Sequence, residues 1–124
     1  MMKTLLIVTA LLEAATGFAL VASPSMIVSL LIGSPLDTRP GLVVGRLAGI
    51  ALLTLGLVCW LARNEQQSRV TAGLIAAMLF YNAGAATLLT YARLGWGLSG
   101  LGLWPAAAVH AALALWCIEC LRTR

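Results

Sequence analysis

Four apolar runs, each about as long as a bilayer is thick and separated by short polar breaks, leave this chain few folds. They cover residues 5–22, 41–62, 70–91 and 101–121. A helix rises about 1.5 Å per residue, so a run of about 20 residues crosses a hydrocarbon core of about 30 Å. No water reaches that core, so each segment must pair its own backbone N–H and C=O groups, which a helix does. The breaks carry turn chemistry: "SPLDTRP" has two prolines and an Asp, "RNEQQS" charge and amides, "RLGWGLSG" three glycines. Because the breaks are short, successive spans run antiparallel. The pattern predicts an all-α, integral membrane four-helix bundle forming a single transmembrane domain over residues 1–124.

One further segment, "SPSMIVSLLIGS", is too short to cross. Ser23 suits a helix cap, Pro24 the first helical position and Gly33 a stop, which predicts a short interfacial helix over about 24–32. Composition agrees with a lipid-solvated chain: 61% of residues are hydrophobic and 10% charged, against about 25% charged in a soluble domain. Mean hydropathy is +0.99. The net charge of +4 does not point to nucleic acid, because the cations stand singly between apolar runs rather than in a patch with interleaved aromatics.

The cations instead set an orientation. Lys3, Arg63, Arg69, Arg122 and Arg124 fall at one side of the spans, Arg39 and Arg93 at the other, and cations are retained on the cytoplasmic side. Trp60 and Trp116 mark the inner interface; Tyr91, Trp96 and Trp104 mark the outer one. Both termini are therefore expected in the cytoplasm, with the protein multi-pass in a bacterial-type inner (plasma) membrane. The first run also resembles a signal peptide, but its length, Glu13 and Pro24 after "ALVAS" favour an uncleaved span.

Each span carries one strongly polar residue in its middle or outer-middle: Glu13, Arg46, Asn82 and His110. Such residues are costly against lipid and should face protein or water. At helical spacing Glu13 shares a face with Thr9, Thr16 and Gly17. Its carboxyl group reads either as an interhelical hydrogen bonder or as a ligand- or proton-carrying site. Arg46 lies roughly 8 Å inside the outer end, where it either snorkels to water or pairs with Glu13. Tyr81 precedes Asn82 and joins Thr9 and Thr16 as a second tier. The four strongly polar residues suggest a lined cavity more than scattered glue. Gly41, Gly45 and Gly49 form a small-xxx-small ladder for a closely packed neighbour.

Cys59, Cys117 and Cys120 lie toward the cytoplasmic ends of apolar helices and read as small buried hydrophobes. "CIEC" has a redox spacing, but in an apolar helix on the reducing side. No Walker, G-x-S-x-G or HExxH signature is present, no nucleophile has an evident base, and no catalytic residue, metal or cofactor is assigned.

Two family resemblances attach to these residues. The first span, "LLEAATGFAL", resembles the small multidrug resistance exporters, which implies a glutamate that binds protons and cationic drugs in a dimer; Arg46, the interfacial segment and His110 depart from that pattern. The order of a span, a short Pro-led helix, a span with "GRLAGIALLTLGL" and two further spans is similar to the small bacterial four-helix membrane proteins of the DoxX-like group, and implies a fold more than a function. The leading expectation is a protein whose cavity binds a small amphiphile or lipid, or an accessory subunit of a membrane complex, self-associating or docked to a larger membrane complex. Against it stand a proton-coupled transporter using Glu13 and a purely structural subunit.

Overall fold

A computed structural model describes residues 1–123; Arg124, counted above among the inner cations, lies outside the described residues. The described chain is all-α, with five helices: α1 (Met2–Ala22), α2 (Pro24–Ile32), α3 (Arg39–Ala62), α4 (Arg69–Leu94) and α5 (Leu103–Arg122). All but α2 are long and apolar enough to cross a membrane.

The boundaries follow from local chemistry. Pro24 opens α2, and Gly33 closes it at φ 78°, a left-handed conformation that glycine adopts without steric cost. Ser23 is the N-cap residue of α2 but makes no side-chain capping bond. Thr38 caps α3 by accepting from Gly41 N at 3.1 Å, with Pro40 in the first turn. Ser68 and Thr71 form a reciprocal capping box at the start of α4. The C-terminal end of α3 is finished by Arg63, whose guanidinium lies 3.9 Å over the Trp60 ring and donates to Trp60 O.

The spans pack chiefly as two antiparallel pairs, α1 on α3 and α4 on α5, with α1 and α5 also in contact. Glycine sets the first pair. Gly17 of α1 meets Gly49 of α3, and Gly56 lies against Ala10 and Ala14. The ladder thus runs through Gly49 and Gly56; Gly45 faces Pro24 and Leu36 instead, and Gly41 meets only Thr38 and Leu36. The end of the bundle that holds the α4–α5 loop is tied together by α2, whose last turn lies against that loop. Gly102 N donates to Leu30 O at 2.9 Å, and a Cβ at Gly33 or Gly100 would collide with the backbone of Ser99 or Leu30.

The densest core occupies the half of the bundle holding the N-terminal turns of α1 and α4. It is built from Leu5, Leu6, Ala10, Cys59, Ile75, Met78, Leu113, Cys117 and Cys120. All three cysteines are free and buried there. Replacing all three by Ala should leave the protein folded, with a packing loss of the order of 1 kcal/mol per site. A thermal melt checks this, and loss of a bound metal or cofactor from the variant would contradict the packing role.

Candidate functional site

Next to this core lies a cavity of about 290 Å³. Leu12, Glu13 and Thr16 of α1, Tyr81 and Leu89 of α4, and Pro105, Ala106, Val109, His110 and Leu113 of α5 line it, with Leu31 contributed by α2. Its walls are mainly apolar, and its polar groups come from three helices. Leu12 is 40% and Val109 44% exposed, and Thr16 and Pro105 are also exposed, so the mouth opens sideways between α1 and α5.

The polar groups are linked. Glu13, 4% exposed, accepts a long hydrogen bond of 3.4 Å from the Tyr81 hydroxyl through Oε2. The Tyr81 ring meets the His110 ring edge-on, with centroids 5.5 Å apart. His110 Nδ1 lies 2.8 Å from Asn82 Oδ1, and Asn82 Nδ2 donates to Met78 O at 2.8 Å. Tyr81 and Asn82 are neighbours in sequence, but at 3.6 residues per turn their side chains point about 100° apart, one toward α1 and the other toward α5. Asn82 is fully buried, and both its polar atoms are paired. Among the described residues no buried side-chain polar atom lacks a partner. A buried polar network held this way favours one arrangement of the helices.

The structure brings Glu13, Asn82 and His110 together and leaves Arg46 outside. Arg46 is exposed on α3, and its Nε donates to Val21 O in the last turn of α1, 3.2 Å away. Its guanidinium thus caps a helix end, in the direction expected of a snorkelling side chain, while Glu13 takes Tyr81 as its partner. Thr16 stands at the rim of the cavity, whereas Thr9 is buried one turn below and does not line it. Tyr81, expected in a supporting place, is the link between Glu13 and His110. A tyrosine at mid-span, away from both aromatic belts, was the sequence signal for that role. Leu31, Pro105 and Ala106 carried no polar signal and were not anticipated as lining residues.

The chain matches no family model, no curated protein and no solved structure. The fold and site therefore define a class only: an all-α protein with four candidate membrane spans and a side-opening, mainly apolar cavity that holds a few linked polar groups.

Proposed function

We propose that this protein is a multi-pass inner-membrane protein that binds a small amphiphile or lipid in the cavity between α1, α4 and α5. The observation that carries the reading is the convergence of Glu13, Tyr81 and His110 on one cavity whose remaining walls are mainly apolar and whose mouth opens between two spans. A binding site for an amphiphile needs those features: a concave apolar wall, a few fixed polar groups, and entry from the phase in which the ligand dissolves. The packed core beneath the cavity supports binding over a route through the membrane, which a proton-coupled transporter using Glu13 would require.

Ala106→Phe tests the reading by filling the cavity from a half-buried lining position. Wild-type protein and variant, purified at equal yield from native membranes, are extracted and their lipids compared by mass spectrometry. An amphiphile should be recovered with the wild type and lost from the variant. Identical inventories would sink the proposal.

The cation and tryptophan asymmetry supports both termini lying in the cytoplasm. In the cysteine-free background, Ser68→Cys and Thr123→Cys should resist a membrane-impermeant thiol reagent in intact cells and react after permeabilisation. Labelling of either in intact cells would reverse the topology. The apolar outer surfaces of α3 and α4 fit lipid, a second copy of this chain or a larger membrane complex.

A further inference from the structure

The hydrogen-bond pattern around the cavity fixes which atoms remain for a ligand. Asn82 Nδ2 is spent on the carbonyl of Met78, so Oδ1 is the atom that faces His110. The opposite amide orientation would set two acceptors, Oδ1 and Met78 O, against each other at 2.8 Å. An amide oxygen accepts only, so His110 Nδ1 carries the proton. In a neutral imidazole Nε2 is then a bare lone pair. The single O–H of Tyr81 is likewise committed, to Glu13 Oε2. What these two groups still offer is acceptor capacity, at His110 Nε2 and the Tyr81 oxygen. Thr16, at the exposed rim, supplies the other hydroxyl of the lining.

We infer that Asn82 holds His110 in its Nδ1–H tautomer and that the cavity thereby takes an amphiphile whose neutral head group donates a hydrogen bond, a hydroxyl on a hydrocarbon tail. The inference rests on the binding reading above and specifies its ligand class. A neutral head is favoured because the ligand arrives from lipid into apolar walls, where a full charge is costly to desolvate. At about 30 Å³ for each water-sized group, 290 Å³ holds roughly ten non-hydrogen atoms. That is enough for the head and the first part of a tail, the remainder leaving between Leu12 and Val109. Asn82 is a positioning residue: it acts on the ligand through the imidazole.

His110 is the only histidine in the chain, so nitrogen NMR on protein labelled at histidine reads this ring alone. The full-length protein in detergent, stripped of lipid, should show a protonated Nδ1 and a bare Nε2. Titration with dodecanol should shift the Nε2 resonance as it accepts a hydrogen bond. Dodecyl methyl ether, which has the tail and an acceptor but no donor, should bind about tenfold more weakly and leave Nε2 bare. Asn82→Leu should release the tautomer and reduce the preference for the alcohol toward parity. A protonated Nε2 in the wild type overturns the inference, as does an ether that binds as well as the alcohol, or an alcohol that leaves Nε2 unmoved. These wild-type measurements decide even if Asn82→Leu does not fold. The Ala106→Phe lipid comparison reads the cavity itself, so failure of the ligand class and failure of the binding site give different results.

Discussion

Gly17→Ala and Gly49→Ala should each destabilise the protein strongly, by about 3 kcal/mol or more, at the upper end of what overpacking costs. A Cβ at Gly17 would stand 2.7 Å from both Gly49 O and Leu53 N, and a Cβ at Gly49 would stand 2.7 Å from Gly17 O. These neighbours are backbone atoms in the middle of two helices, so no side-chain rotation relieves the clash and the α1–α3 pair must move apart. Gly56→Ala, with its nearest atoms at 3.0 Å, should cost less. Gly73→Ala and Gly84→Ala provide the control, since a Cβ at either meets nothing within 4 Å. There the change removes only the conformational freedom of glycine and should be neutral or stabilise by up to about 1 kcal/mol. Unfolding in a denaturing detergent series should therefore order the variants with Gly17 and Gly49 weakest, Gly56 next, and Gly73 and Gly84 at or above wild type. Equal stability across all five would mean that the α1–α3 contact does not hold the fold together.

Helix positions were legible in the sequence because their ends carry their own chemistry. Pro24 and Gly33 bracket α2 at the residues expected, and Thr38 and Ser68 sit at the caps of α3 and α4. Rotation about each helix axis was not legible, because depth along the membrane says nothing about which way a side chain faces. Glu13 and Arg46 have similar expected depths, yet Arg46 follows Gly45 and so points about 100° away from it, and it emerges on the exposed side. The stripe around Glu13 divides for the same reason. Thr9 is buried beneath it, Thr16 reaches the cavity rim, and Gly17 turns to α3. The glycine ladder was visible as a packing surface, but a sequence of small residues does not name its partner. Only the paired approach of Gly17 and Gly49 shows which helix comes close. Apolar lining such as Leu31 and Ala106 was hidden because nothing in composition separates an apolar cavity wall from a lipid face.

The second large effect is expected at Asn82 and His110, where two buried side chains complete one another. Asn82→Leu leaves the His110 Nδ1–H without its acceptor, and His110→Leu leaves Asn82 Oδ1 without its donor; either change should cost about 1–3 kcal/mol for the stranded polar group. The double variant replaces both by apolar side chains and removes the unpaired atoms together, so a large part of the loss should return, giving a coupling energy of about 0.5–3 kcal/mol. Glu13 and Arg46 should behave otherwise. Arg46 is engaged with Val21 O and Glu13 with Tyr81, so they share no partner. Losses from Glu13→Gln and Arg46→Gln should then add to within about 0.5 kcal/mol. Tyr81→Phe should cost little, since the bond it deletes is long, 3.4 Å. Two double-mutant cycles in the same detergent therefore separate the helix contacts that sequence depth suggested from those the packed bundle makes. Strong coupling of Glu13 to Arg46 together with additive losses at Asn82 and His110 would place the polar link on α1 and α3, and would remove the basis for a cavity shared by α1, α4 and α5.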